Sequence, residues 1–217
     1  MGEVSIVTPS GTVSASVHGS GDRVVALGHG AGSTRTYPAL VALAEAIATS
    51  GRAALLFNFP YTEAGKRRPD PPDVLEATIR GVADYARQAL GARSLVLGGR
   101  SMGGRIASQA VAKGVAAEGL VFLAYPLHPP GRPQQLRDKH LPEIQAPMLF
   151  VQGTRDDFAR ADLLEAFLAR LGERATFHSV PEGDHSFGVL KRSGRTPAEV
   201  REEVHGAVLA WLEVLGL

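Results

Sequence analysis

The chain is predicted to fold as an α/β domain with a mostly parallel, doubly wound sheet and an antiparallel N-terminal edge. Short runs rich in Val, Leu and Phe recur without polar alternation, as expected for strands covered by helices on both faces. Amphipathic segments separate most of these runs, and such strand–helix alternation favours parallel strands joined by right-handed crossovers. The predicted strands are 4–7, 13–17, 23–27, 53–57, 94–97, 120–124, 148–151 and 175–180.

The first two strands are expected to form the antiparallel edge, because Pro9, Ser10 and Gly11 leave no room for a crossover. Asp73 and Thr196 each precede a Glu by three residues, the pattern of a capping box at a helix start. The predicted helices cover 36–50, 73–90, 102–112, 162–171 and 196–215, and three longer loops cover 60–72, 126–142 and 184–196. Ligands of such sheets bind outside the carboxyl ends of the strands, so these loops are candidates to surround a site.

Composition excludes several classes of protein. The length of 217 residues predicts a single domain, 1–217, and a net charge of +1 gives no electrostatic footprint for nucleic acid. The absence of cysteine excludes disulfides, thiolate metal sites and Cys nucleophiles, and no HExxH or similar spacing occurs, so neither metal nor cofactor is expected. The N-terminus lacks the apolar region of a signal peptide, and the longest apolar stretch, 120–124, is too short for a bilayer. We therefore expect a cytoplasmic protein with no membrane partner, and we leave its oligomeric state open.

The segment 99–103 reads G-R-S-M-G and matches the G-x-S-x-G motif of a nucleophile elbow. An apolar strand is predicted before it and a helix rich in Ala and Gly after it. A sharp strand–turn–helix holds the central residue in a sparsely populated conformation at a cost of about 1–3 kcal/mol. Gly99 and Gly103 are expected to remove side chains that would collide with neighbouring elements. Ser101 is the predicted nucleophile; a phosphate-cradling turn is disfavoured because GxxxxGK[ST] and GxGxxG are absent.

An acid and then a histidine must follow the serine of such an elbow along the chain. Asp156 follows the predicted strand 148–151, and His185 follows the predicted strand 175–180. Asp156 is expected to orient His185, which takes the proton of Ser101. Asp157 is the rival acid. Other candidates are expected to be structural or to line the pocket: Asp184 as loop structure, His178 and His205 as structural residues, His18 near the edge hairpin, and His128 and His140 in a loop near the pocket.

The segment 29–32, His-Gly-Ala-Gly, follows the predicted strand 23–27 and is a candidate for half of an oxyanion hole. We expect the amide of Ala31 to act with the amide of Met102, with Gly32 as second choice for Ala31. Losing one such donor typically costs about 3 kcal/mol of transition-state stabilisation. His29 is expected to order this loop through hydrogen bonds and not to serve as the general base.

Taken together, these segments resemble the α/β-hydrolase superfamily over nearly the whole chain. The likeness is closest to a group that comprises small bacterial hydrolase-like proteins, testis-expressed hydrolase-like proteins and the hydrolase-like domain of a histone-acetyltransferase-complex subunit. Dienelactone-hydrolase-like enzymes are a broader neighbour, in which Cys occupies the position of Ser101. The likeness is carried by HGAG (29–32), FNFPY (57–61), GGRSMGGR (98–105), YPLHPPG (125–131), GTRD (153–156) and GDHSF (183–187).

The resemblance implies the α/β-hydrolase fold without a large cap domain, and a triad of Ser101, Asp156 and His185. Three positions depart from the pattern of the group. Asn58 stands where Asp is expected, and Asp157 and Ala159 stand where Pro and Gly are usual. The departures at 157 and 159 lie beside the proposed acid, so they are expected to affect the loop that carries it.

The predicted function is that of a serine hydrolase, carboxylesterase-like or thioesterase-like, which forms an acyl-enzyme on Ser101 with a small-molecule acyl substrate. Its activity should rise with pH as His185 loses its proton. The alternative is a non-catalytic protein-interaction module on the same scaffold; perhydrolase-like or lyase chemistry with the same triad is a third and weaker possibility. Whether Arg100, Arg105 or the basic cluster 66–68 contacts substrate is left open.

Overall fold

The computed structural model describes residues 2–217, and these form an eight-stranded sheet flanked by helices. The strands follow the order β1-β2-β4-β3-β5-β6-β7-β8 across the sheet. They are β1 (Gly2–Thr8), β2 (Gly11–His18), β3 (Arg23–Gly28), β4 (Ala53–Phe57), β5 (Ser94–Arg100), β6 (Gly119–Leu123), β7 (Met148–Gly153) and β8 (Ala175–Val180). The helices are α1 (Pro38–Thr49), α2 (Pro60–Glu63), α3 (Pro72–Gln88), α4 (Met102–Ala112), α5 (Ala161–Leu171) and α6 (Pro197–Val214).

The N-terminal edge of the sheet is antiparallel, as predicted. Strand β2 pairs antiparallel with both β1 and β4, and the other neighbouring strands run parallel. From β3 the chain crosses first to β4 on one side and later to β5 on the other, so the strand order reverses between β3 and β5. A crevice opens at the carboxyl ends of the strands at such a switch point, and this is where ligands bind in open α/β sheets.

Two layers of helices bury the two faces of the sheet. Leu43 of α1 and Val204 of α6 pack in one apolar core with Val25 and Val121 of the strands. Helices α3, α4 and α5 pack in a second core on the opposite face. The central strands β3 to β7 are buried on both sides, which explains why their sequences lack polar alternation.

The start of α6 was predicted correctly from a local sequence pattern, and the start of α3 was not. The amide of Glu199 donates to Thr196 Oγ1 at 3.2 Å and the amide of Thr196 donates to Glu199 Oε2 at 2.7 Å, so the predicted capping box of α6 is present. The predicted Asp73 cap is wrong, because α3 begins at Pro72 and Pro71 occupies the N-cap position. A proline at the first helical position supplies the required φ and has no amide to satisfy, which leaves Asp73 inside the first turn.

The connections at the carboxyl edge carry little structure of their own. Residues 60–72, predicted as a loop, begin with the short helix α2. The connection between β6 and β7 holds one 3₁₀ turn, Leu141–Glu143, and residues 2–217 contain no separate cap domain. Across the same described residues, none of the helices combines the length and the apolar character that a membrane span requires.

Candidate active site

Ser101 occupies the sharp turn between β5 and α4. Its backbone has φ 50° and ψ −113°, which is a strained conformation for a residue with a side chain. The turn is held in place because the amide of Ser101 donates to the carbonyl of Leu123 at 2.9 Å, while its own carbonyl accepts from the amide of Arg105 at 3.1 Å. The serine hydroxyl is thereby presented at the carboxyl edge of the sheet.

Two glycines allow this turn to approach strand β3. A Cβ atom on Gly99 would lie 2.1 Å from the carbonyl oxygen of Gly28, and a Cβ atom on Gly103 would lie at the same distance from the same oxygen. This oxygen belongs to the backbone, so rotation of a side chain could not relieve either clash. The expected steric role of the two glycines in the elbow is therefore correct.

The structure brings together Ser101, His185 and Asp156, the three residues proposed from the sequence. Ser101 Oγ lies 2.8 Å from His185 Nε2, and His185 Nδ1 lies 2.9 and 2.8 Å from the two carboxylate oxygens of Asp156. An ionised carboxylate only accepts hydrogen bonds, so Nδ1 carries the proton and Nε2 is free to accept from the serine hydroxyl. The three side chains follow strands β5, β7 and β8 at one edge of the sheet.

The Asp156 carboxylate is fully buried and has two further donors. The amide of Phe158 donates to Oδ1 at 2.8 Å, and Gln152 Nε2 donates to Oδ2. These bonds compensate for the loss of hydration around a buried charge. They also fix the carboxylate in the orientation that faces His185.

The two neighbouring carboxylates have other surroundings. Asp157, the rival acid, is exposed, and the carboxylate contacts of His185 are made by Asp156. Asp184 accepts hydrogen bonds from the amides of Ser186 and Gly188 at 2.7 and 2.9 Å. Asp184 therefore stabilises its own loop, as expected from its position beside His185.

The imidazole of His185 and its loop are held by two residues whose roles were not foreseen. The ring of Phe158 stacks on the ring of His185 with centroids 4.1 Å apart and an interplanar angle of 24°. Arg100 Nη2 donates to the carbonyl oxygen of His185 at 3.3 Å and to Ser186 Oγ at 2.7 Å. The same guanidinium lies 5.1 Å from the ring centre of Tyr37. The G-x-S-x-G motif placed Arg100 beside Ser101, but no local pattern pairs Arg100 with the His185 loop.

The loop 29–32 passes over the elbow, since a Cβ atom on Gly30 would lie 3.7 Å from Ser101 Cβ. The amide of Gly32 donates to the Tyr61 hydroxyl at 3.3 Å, whereas the amide of Ala31 has no protein acceptor within residues 2–217. Met102 begins α4, so its amide has no carbonyl partner inside the helix. Of the two residues considered beside Met102, Ala31 therefore has the available donor.

His29 holds this loop through both ring nitrogens. Nδ1 donates to the carbonyl of Gly30 at 2.8 Å, and Nε2 accepts from the amide of Phe59 at 3.3 Å. Burial lowers the pKa of His29, which favours the neutral ring that this pattern requires. The contacts agree with a structural role for His29.

The remaining candidates make structural contacts or lie at the surface. His128 Nε2 accepts from the amide of Arg160 at 2.9 Å, and His140 lies 2.8 Å from Ser108 Oγ on α4. Arg105 Nη1 donates to Gln109 along the same helix at 3.2 Å, and residues 66–68 are exposed. Asn58, the departure from the expected Asp, accepts from the amide of Arg35 at 2.8 Å. His178 pairs with Glu203 and His18 with Ser16, and His205 lines a pocket between α1 and α6.

The parallel sheet with a serine elbow at its switch point defines a protein of the α/β-hydrolase class. Residues 21–213 match the model of the alpha/beta hydrolase domain family, and the chain belongs to that family. Membership supports a hydrolase in general terms. The finer grouping with testis-expressed and histone-acetyltransferase-complex proteins stays a prediction.

Solved structures share the fold along nearly the whole chain. Dienelactone hydrolase from Anabaena variabilis has 21% identity and a TM-score of 0.78, with 98% of this chain and 96% of that chain covered. An α/β serine hydrolase without lid from Xanthomonas campestris has 21% identity and a TM-score of 0.71, with 97% and 94% covered. An esterase from Pyrococcus furiosus has 17% identity and a TM-score of 0.79, with 98% and 90% covered. The lidless relative agrees with the absence of a cap domain within residues 2–217.

Proposed function

We propose that the protein is a serine hydrolase that cleaves small acyl esters or thioesters through an acyl-enzyme on Ser101. The observation that carries this proposal is the hydrogen-bonded chain from Ser101 Oγ through His185 to Asp156, with 2.8 Å between Oγ and Nε2. A nucleophile, a base within hydrogen-bonding reach and a group that orients the base are what covalent acyl transfer requires. The binding partners that we propose for the protein are its substrates, which are small acyl compounds.

Attack on the substrate begins with proton transfer. Ser101 Oγ forms a bond to the carbonyl carbon as its proton passes to His185 Nε2, and the carbonyl π electrons move to the oxygen. The Nδ1 proton stays on the imidazole, and the resulting imidazolium is stabilised by the buried carboxylate of Asp156. When the bond between the carbonyl carbon and the leaving group breaks, His185 donates the proton to the leaving group. Water, activated by the same Nε2, then releases the acid from Ser101.

The negative oxygen of the tetrahedral intermediate needs hydrogen-bond donors. The amides of Ala31 and Met102 are the groups we assign to it, and each is worth about 3 kcal/mol in comparable sites. Helix α4 starts at Met102, so the positive end of its dipole adds to the stabilisation.

A fluorophosphonate probe with an intact-mass readout tests this function. Such a probe reacts with an activated serine, so the wild type should gain the mass of one phosphonyl group. Ser101→Ala should abolish the gain, while Ser20→Ala, which changes an exposed serine away from the elbow, should retain it. A folded wild type that stays unlabelled would favour the non-catalytic interaction module. An ester panel read as kcat/KM then identifies the preferred acyl group.

A further inference from the structure

An apolar pocket of about 420 Å³ lies between helices α1 and α6. Its lining includes Leu40 and Leu43 of α1, Phe187 of the His185 loop, and Val200 and Val204 of α6. Helices of one layer normally close such a gap with their own side chains. Here they leave a concave, hydrocarbon-lined space of the kind that binds small organic molecules.

The pocket adjoins the triad. Arg100 and Ser186, which line it, are the immediate neighbours of Ser101 and His185 in the chain. Leu123 lines it as well, and its carbonyl accepts the amide hydrogen of Ser101 at 2.9 Å. A group held in this pocket therefore lies against the chain neighbours of Ser101 and His185, while those two side chains stand just outside the pocket wall.

A second cavity, of about 820 Å³, is lined in part by Asp156 and has a different chemistry. Charged side chains line it, among them Arg155, Asp157, Arg160 and Asp184. Placing a hydrocarbon chain there would take hydration from these charges and return little apolar contact. The pocket between α1 and α6 offers the opposite balance.

We propose that the pocket between α1 and α6 receives the hydrocarbon part of the ester, so that the substrates are esters of apolar acids longer than acetate. This inference rests on the proposed function. The charged or titratable groups on the pocket wall are Tyr37, Arg100, Arg201 and His205, and no Asp or Glu is among the lining residues described within 2–217. The wall therefore suits neutral or carboxylate-bearing chains and disfavours chains with an ammonium group.

The test compares p-nitrophenyl octanoate with p-nitrophenyl acetate as a ratio of kcat/KM, which cancels changes in the triad common to both. Burial of each methylene is worth up to about fourfold, so the wild type should favour octanoate by tenfold or more. Ala42→Phe places a ring in the pocket from α1 and should lower the ratio at least tenfold. Ala161→Phe adds the same ring to the charged cavity and should leave the ratio within twofold.

Val204→Ala provides a second variant that enlarges the pocket, and it should raise the ratio of decanoate to octanoate. An unchanged octanoate-to-acetate ratio in a folded Ala42→Phe protein, or a ratio that falls only in Ala161→Phe, would overturn the inference.

Decanoate binding to Ser101→Ala, measured by calorimetry with and without Ala42→Phe, separates the two proposals. If decanoate binds and Ala42→Phe weakens its binding while the wild type hydrolyses no ester, the proposed function fails and the pocket assignment stands. If esters are hydrolysed through Ser101 but Ala42→Phe changes neither the octanoate-to-acetate ratio nor decanoate binding, the pocket assignment fails alone.

Discussion

Arg100 joins three segments of the site, and its removal tests whether the position of His185 depends on that junction. The guanidinium donates to the His185 carbonyl and to Ser186 Oγ, and it lies over the ring of Tyr37 at the start of α1. Its Nη1 atom would lie 2.8 Å from a Cβ atom on Gly30, so it also contacts the loop over the elbow. Arg100→Met keeps most of the apolar stem and removes these polar contacts.

The size of the effect follows from the contacts that are lost. Two hydrogen bonds contribute about 0.5–1.5 kcal/mol each, and a partly exposed cation–π contact adds about 0.5–1 kcal/mol. Together they amount to about 1.5–4 kcal/mol, which corresponds to a change of about 10- to 900-fold in the ratio of positioned to displaced loop. Since His185 must meet Ser101 Oγ before the proton can transfer, the reactivity of Ser101 should fall by about this factor.

The second-order rate of labelling by a small fluorophosphonate measures that reactivity without requiring a substrate. Arg100→Lys should recover part of the rate, because an ammonium group retains the charge and a donor but not the planar fork. Arg93→Met is the matched control, since this exposed arginine pairs with Asp22 away from the site. A labelling rate within twofold of the wild type in folded Arg100→Met would refute the positioning role.

Three further predictions concern the acid, the elbow and a buried histidine. Asp156→Asn should lower kcat about 10⁴-fold because the amide NH₂ donates to Nδ1 and leaves the imidazole proton on Nε2, which then cannot accept from Ser101, whereas Asp157→Asn should stay within threefold; ester hydrolysis measures both. Gly103→Ala should reduce the free energy of unfolding by about 3 kcal/mol in urea titrations, since its Cβ would meet the backbone of Gly28, and an unchanged midpoint would contradict the close packing. Burial lowers the pKa of His140 to about 4 from 6.5, so the unfolded chain binds the proton first as pH falls through this window. Stability should therefore decrease from pH 6.5 towards pH 4, by about 2 kcal/mol after solvent screening, and His140→Gln should flatten that decrease in urea titrations at pH 7 and pH 5.

Most of the fold was predictable because its signals are local. Strands buried on both faces lack alternation, and the hairpin at residues 9–11 has no length for a crossover. The predicted serine, acid and histidine each follow a predicted strand. Because the carboxyl ends of parallel strands share one edge of the sheet, the three side chains were expected to lie at that edge. These rules use sequence order and periodicity alone, so they need no knowledge of which side chains meet.

The unpredicted features all depend on contacts between distant segments. Phe158 stacks on His185 across 27 positions of the chain, and Arg100 reaches Ser186 across 86. The prediction of Asp73 as an N-cap failed for a different reason. Pro71 and Pro72 set the start of α3, and the capping-box pattern of Asp73 and Glu76 takes no account of prolines before it. Sequence order predicted which groups the structure brings together, while tertiary packing determines how they are held.

The segment 125–131, part of the family resemblance, explains why the departures at Asp157 and Ala159 leave the acid in place. The amide of His128 donates to the carbonyl of Phe158 at 2.9 Å, and the amide of Arg160 donates to His128 Nε2 at 2.9 Å. These two bonds hold the chain on both sides of residue 159, so the turn does not depend on the Pro and Gly that are usual at 157 and 159. Asp157 is exposed and the amide of Ala159 donates to the carbonyl of Asp156, so the segment 125–131 holds the turn in which Phe158 and Gln152 orient the Asp156 carboxylate.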